Sequence, residues 1–355
     1  MKTPYLRERQ VAEAAVLRAS IMTKQVQSAV REISKEDASP VTVADFAAQA
    51  LIIHALRDAF PEDSFLGEED SSVLRNDESL RDEVYQLILS APDVEDPVGQ
   101  LSGRPLPKPS SVDEMLQCID LGGRGQGGDT GRIWIMDPID GTAAFLRGQQ
   151  YGVSLALIED GKEVVGVLGC PNICIDVNAV SEAEVDTNGL GLMLSAVRGQ
   201  GSTVRAMASS GLGDAKTLDR RGEMMSSPML HIVDCSASTD SRHDIVAKVA
   251  SEFKTSLPST EIWSLHVRYA ALIVGDGDVH VCVPPNSSSR MHVWDHAGSQ
   301  LIFTEVGGAV TDLDGNQIDF GAGRDLNRNR GMVVSRRGIH KAILAAIRRI
   351  LLKDG

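Results

Sequence analysis

The chain has 355 residues, 42% hydrophobic but only 4% aromatic; that length exceeds one ordinary core and points to two packed lobes, expected over residues 1–172 and 173–355. Its formal net charge of −14 argues against a nucleic-acid polymer as partner, because phosphate backbones are bound by basic surfaces; a small anion held through metal ions stays open. No apolar run is long enough to span a membrane, no signal-peptide core follows the charged start, and the five cysteines form neither a redox pair nor a zinc knuckle, so reduced thiols in a cytoplasmic protein without a membrane partner are expected.

In chain order, Thr3 and Pro4 make a helix start, and Leu6, Ala14, Leu17, Ile21, Val26, Ala29, Val30 and Ile33 recur at roughly helical spacing. Pro40 interrupts that pattern; a second helix is expected from Val43 and a short one at 77–90. Residues 91–111, rich in Pro, Gly and Ser, read as an exposed excursion. Six glycines fall within 122–131 beside Arg124. Without a Gly-Lys-Ser/Thr this is no P-loop, and a flexible turn is preferred to a phosphate cradle. The apolar run 133–136 begins a strand. Residues 151–158, the turn Glu159-Asp160-Gly161 and residues 164–168 form a hairpin that continues the first lobe's sheet. Residues 176–230 are weakly hydrophobic, with a strand before Gly199-Gln200-Gly201 and a surface loop over 205–227. A strand at 230–235, helices near 242–253 and 265–274, a strand at 278–283 and a helix from 295 follow. The basic amphipathic segment 338–352 reads as a packed terminal helix.

Carboxylates gather where these apolar elements begin or end. In residues 134–142, Asp137 and Asp140 close a strand and Gly141-Thr142 opens a helix. Such oxygens suit hard divalent cations, and free N–H groups at a helix start suit phosphate; together they suggest metal-assisted phosphoryl chemistry. Singly, each acid also fits a solvated strand end. Two further clusters support the functional reading: residues 39–45 lead into a helix with Asp45, and Gly67-Glu68-Glu69-Asp70 ends a short apolar run. Downstream, Trp294-Asp295-His296-Ala297-Gly298 precedes another helical stretch.

On Gly67-Glu68-Glu69, on residues 137–142 and on residues 294–298, the chain resembles the inositol monophosphatase superfamily of Mg²⁺-dependent, lithium-sensitive phosphatases. Residues 39–49, Phe145-Leu146-Arg147-Gly148 and residues 166–172 are similar to its 3′(2′),5′-bisphosphate nucleotidase branch, as found in fungi and plants. The resemblance implies an α/β fold, the layered αβαβα sandwich of the inositol monophosphatase and fructose-1,6-bisphosphatase type, with most metal ligands in the N-terminal lobe. It assigns one Mg²⁺ to Glu68, Asp137 and the Ile139 carbonyl, and a second to Asp137, Asp140 and Asp295. A third, weaker ion lies near Asp45 and Glu68. Asp45, with Glu68 or Thr142, orients and deprotonates the attacking water, while the amides of Gly141 and Thr142 hold phosphate oxygens. Glu69 and Asp70 are expected as solvated charge, Trp294 as core or pocket wall, and His296 as a partner of nearby backbone.

The branch also implies a nucleotide pocket around Ser241-Arg242-His243-Asp244, with His243 as a contact. Arg268 stands where a lysine is usual before Tyr269; its fork suits a phosphate or equally a salt bridge. Three positions depart from the pattern. Ala143 replaces a common lysine, Leu265 replaces a serine that the neighbouring Ser264 can supply, and Cys282 replaces an arginine. The expected reaction is release of the 3′-phosphate of adenosine 3′,5′-bisphosphate or its sulfated form, clearing a by-product of sulfate assimilation, by a monomer or homodimer. The departures keep an inositol phosphate or other small ester as the alternative substrate. A non-catalytic phosphate or metal binder, or a fructose-1,6-bisphosphatase, fits the acids less well.

Overall fold

A computed structural model describes residues 4–29, 32–34, 40–96, 103–175, 179–219, 229–255, 257, 260–286 and 288–354. The first part of the chain forms α1 (Leu6–Val26), β1 (Ile33–Ser34), β2 (Pro40–Val41), α2 (Val43–Ala59), β3 (Ser64–Gly67), α3 (Ser72–Asn76), α4 (Glu78–Ser90) and α5 (Val112–Gly123). The centre holds β4 (Arg132–Asp140), α6 (Thr142–Leu146), β5 (Gly152–Glu159), β6 (Lys162–Cys170), β7 (Leu192–Val197), β8 (Ser202–Ala208), β9 (Gly211–Leu212) and β10 (Lys216–Thr217). Then come β11 (Val233–Asp234), α7 (His243–Glu252), β12 (Thr260–Glu261), α8 (Leu265–Ile273), β13 (Val279–Cys282), α9 (Ser299–Glu305), β14 (Gly308–Thr311), β15 (Met332–Arg336) and α10 (Arg337–Asp354).

These elements stack in five layers. Helices α1, α2, α4 and α5 cover one face of an eight-stranded sheet, α8 and α9 its other face; the sheet β13-β15-β14 follows, and α7 with α10 closes the stack. The αβαβα arrangement implied by the sequence is therefore the observed one. Period-two alternation in fully buried strands builds it. Trp134 and Met136 of β4 face the helical core with Val153, Leu155 and Leu157 of β5, whereas Ile133, Ile135, Ala156 and Ile158 enter the second core. A third core joins Val281 and Val333 to Ile343 and Ile347 of α10.

Several expectations need correction. The first helix stops at Val26, and Ile33 instead pairs with Val41 across the β1–β2 ladder. The main sheet passes residue 172 without a break, since β7 pairs with β6 and carries β8 on its far side. The loop expected over 205–227 contains the end of β8 and two short partners, β9 and β10; residues 220–228 lie outside the described set, as does Ser39. Part of the 91–111 excursion is packed down. Leu106 is buried, and the buried Arg18 donates to the carbonyls of Leu106 and Pro107 at 2.8 and 2.9 Å and of Leu51 at 2.7 Å. The helix expected from 295 starts at Ser299, after a turn.

Candidate active site

The acids meet at one end of the main sheet. β3 and β4 run parallel, with Gly67 opposite Met136, so Glu68, just past the end of β3, comes beside Asp137, which is still paired with Ser154 of β5. Carboxyl ends of parallel strands are where crevices form in such folds. The β4–β5 register slips between Asp137 and Asp140, and this bulge re-aims the chain toward Gly141. Gly141 adopts φ 88°, and a Cβ there would stand 2.8 Å from the Ser264 Cβ; only glycine fits the turn. Thr142 then starts α6, its hydroxyl donating to the Ile139 carbonyl at 3.1 Å and facing the Asp45 carboxylate at 3.4 Å.

Asp45 is wholly buried and arrives through a capping box. Its Oδ2 accepts from the Thr42 N–H at 2.8 Å and the Thr42 hydroxyl at 2.7 Å, while Ala44 N–H donates to Thr42 Oγ1 at 3.1 Å. Asp140 binds the start of α8: it accepts from His266 N–H at 2.6 Å, from Leu265 N–H at 3.2 Å and from the Ser264 hydroxyl, a helix terminus that favours negative charge. His266 gives its ring to Ser299 Oγ at 2.6 Å and to the Trp294 carbonyl at 2.8 Å, joining the Asp140 turn to the Asp295 turn.

Burial, with Glu68, Asp140, Asp295 and Asp45 in electrostatic reach, drives the Asp137 carboxyl well above its usual range. Burial and then Asp140 and Glu68 do the same to Asp295. The structure thus brings Asp45, Glu68, Asp137, Ile139, Asp140, Thr142 and Asp295 together. Their donors are carboxylate and carbonyl oxygens without sulfur or imidazole, a set that fits hard divalent cations. Among the described residues no three His, Cys, Asp or Glu side chains stand close enough to clasp an ion.

The expected substrate contacts are already engaged within the chain. His243 faces Asp234 Oδ2 through Nδ1 at 2.9 Å and the Ser238 carbonyl through Nε2 at 3.0 Å. Arg268 donates to the carbonyls of Ile262 at 2.8 Å and Trp263 at 3.2 Å. It stands in electrostatic reach of Cys282, whose thiol burial pushes up to about 12. Ser264 caps α8 by accepting from Val267 N–H at 3.0 Å.

Glu69 is not solvated: it is 2% exposed, and its backbone N–H and carbonyl bond the Gln49 side chain at 3.0 and 2.6 Å. Asp70 is exposed, as expected. Burial lowers His296 to about 3, and its Nδ1 faces the Tyr269 hydroxyl at 3.5 Å, not backbone. Sequence reasoning passed over His266 and Arg324 and gave no role to Gln49; a polar residue inside an apolar helical run is the available signal for Gln49 and His266.

A profile of the inositol monophosphatase family matches residues 6–352. A 3′(2′),5′-bisphosphate nucleotidase of Emericella nidulans is 39% identical over 354 residues, covering 98% of this chain and 99% of the relative. One of Schizosaccharomyces pombe is 35% identical, covering 98% and 96%. The solved IMPase of Thermotoga maritima shares the fold with a TM-score of 0.57 at 18% identity, covering 96% of each chain.

Proposed function

Because the chain belongs to the inositol monophosphatase family, we propose that it is a phosphomonoesterase that removes the 3′-phosphate of adenosine 3′,5′-bisphosphate, leaving adenosine 5′-monophosphate and inorganic phosphate. The observation that carries this reading is the gathering of Glu68, Asp140, Asp295 and Asp45 within electrostatic reach of Asp137, with Glu68 and Asp137 brought together by adjacent parallel strands. The relatives named above supply the substrate. Glu68, Asp137 and the Ile139 carbonyl would hold one Mg²⁺, Asp137, Asp140 and Asp295 a second, and Asp45 with Glu68 a weaker third. When bound, these cations supply Lewis acidity toward the phosphoryl group and offset the concentrated negative charge.

The chain's own groups do the rest. Asp45, held by the Thr42 cap, takes the proton of the attacking water, and the Thr142 hydroxyl, anchored on the Ile139 carbonyl, orients that water. The amides of Gly141 and Thr142 hold phosphoryl oxygens. Arg268 brings its charge to the neighbourhood of Cys282, where the family arginine is missing, and Arg268 and His243 would each serve the nucleotide side of the site. All five cysteines are unpaired, which supports a reducing, cytoplasmic setting, and among the described residues no helix is long and apolar enough to cross a membrane.

One observation favours a second substrate: Arg268 and His243 already satisfy chain partners, so a smaller ester such as an inositol phosphate needs less rearrangement. The test is Mg²⁺-dependent phosphate release from adenosine 3′,5′-bisphosphate, inositol 1-phosphate and adenosine 5′-monophosphate. The proposal expects strong preference for the bisphosphate. Preference for the inositol ester replaces the substrate, and turnover of none of the three removes the nucleotidase reading.

A further inference from the structure

We propose that Arg324 is a positioning residue that sets the Glu68 and Asp295 segments against each other, and that the glycine-rich segment ahead of β4 is its seat. This inference rests on the metal-site reading above and extends it to a residue outside the acidic motifs.

The guanidinium of Arg324 reaches three segments at once. Nη2 donates to the Gly67 carbonyl at 3.0 Å, Nη1 donates to the Gly125 carbonyl at 2.9 Å and approaches that of Gly122 at 3.4 Å, and Cζ lies 4.6 Å over the Trp294 ring. Gly67 immediately precedes Glu68, and Trp294 immediately precedes Asp295. One planar cation therefore ties together the residues that immediately precede two of the clustered acids. The His292 ring stacks on the same indole at 4.5 Å and 6° between planes. Asp325 holds His292 Nδ1 at 2.9 Å, and the Arg324 carbonyl accepts from Val293 N–H at 3.0 Å. Trp294 is thus held by both the Arg324 guanidinium and the His292 ring.

The glycines follow from this arrangement. A Cβ on Gly125 would stand 1.9 Å from the Phe65 carbonyl, so only glycine lets the segment lie against β3 with its carbonyls turned to Arg324. The loop offers carbonyl oxygens and seats a cation, the opposite of a phosphate cradle built from N–H groups. Lysine cannot substitute in full, because a single ammonium lacks the planar fork that bridges two carbonyls while stacking on a ring.

Groups behind metal ligands typically change metal affinity about 10–100-fold when removed. The test compares wild type, Arg324→Ala and Arg324→Lys, each stripped of metal and titrated calorimetrically with Mg²⁺ without substrate. The Mg²⁺ dependence of kcat and KM and the melting temperature are measured alongside. The expected result is Mg²⁺ affinity lowered about 10–100-fold in Arg324→Ala and less in Arg324→Lys. The half-saturating Mg²⁺ in turnover rises in parallel, with substrate KM unchanged at saturating Mg²⁺. Wild-type Mg²⁺ affinity in Arg324→Ala, with only a lower melting temperature, overturns the proposal; if that variant does not fold, wild-type affinity in folded Arg324→Lys overturns it. A wild-type chain that binds no Mg²⁺ overturns the metal-site reading itself, and this inference with it.

Discussion

Asp140 is held at the start of α8, because Leu265 N–H, His266 N–H and the Ser264 hydroxyl all donate to it. An asparagine would turn its amide N–H₂ toward one set of those donors in either orientation, and it would remove the charge that the proposed second cation requires. Asp140→Asn is therefore expected to lower kcat on the order of 10³-fold or more. The fold should survive, since Ser264 still caps α8 through Val267. Circular dichroism and melting check the fold, and steady-state phosphate release checks the rate. Near-normal turnover in a folded variant would sink the assignment of Asp140 as a metal ligand.

Helix α2 shows how an element, not a single residue, presents a catalytic group. Thr42 accepts from Ala44 N–H while its own hydroxyl and N–H donate to Asp45, so the cap that starts the helix also aims the proposed base. Thr42→Ala should cost about 1 kcal/mol of stability and reduce kcat several-fold, whereas Thr42→Ser, which keeps the hydroxyl, should change neither. Urea denaturation and turnover of both variants test this, and full kcat in Thr42→Ala would show that Asp45 does not need the cap. That helix was legible in the sequence because Pro40, Thr42 and the apolar run after Val43 are local signals. The strand ending in Asp137 and Asp140, the β5–β6 hairpin and α10 were legible for the same reason. β8 was not: its burial follows no regular alternation, and Ser202, Thr203 and Arg205 look like loop residues until β7 pairs with them. Arg324 was invisible because its partners, Gly67 and Gly125, lie 257 and 199 residues away in sequence.

At the scale of the whole molecule, one buried carboxyl joins the main sheet to the layer that carries Asp295. Glu163, on β6, is 3% exposed and accepts from Gly298 N–H at 3.1 Å and the Gln300 amide at 3.2 Å, at the start of α9. Burial, only partly offset by these donors and by Arg198, raises its pKa from 4.5 to about 7. The folded chain therefore holds this proton more tightly than the unfolded chain. Below pH 4.5 the group is protonated in both states and costs nothing. Between pH 4.5 and 7 the unfolded chain ionises first, so stability falls as pH rises, and above pH 7 the penalty is fully present at about 3 kcal/mol. Asp137 and Asp295, also raised, act in the same direction, so the wild-type slope alone does not isolate Glu163. The difference between wild type and Glu163→Gln does, because the other groups are common to both. Urea denaturation of the two chains from pH 4.5 to 8 should give stability curves that converge or cross by about 3 kcal/mol over that window, with the variant gaining on wild type as pH rises. Parallel curves would mean that Glu163 stays ionised in the folded chain and that its helix-terminal donors outweigh its burial.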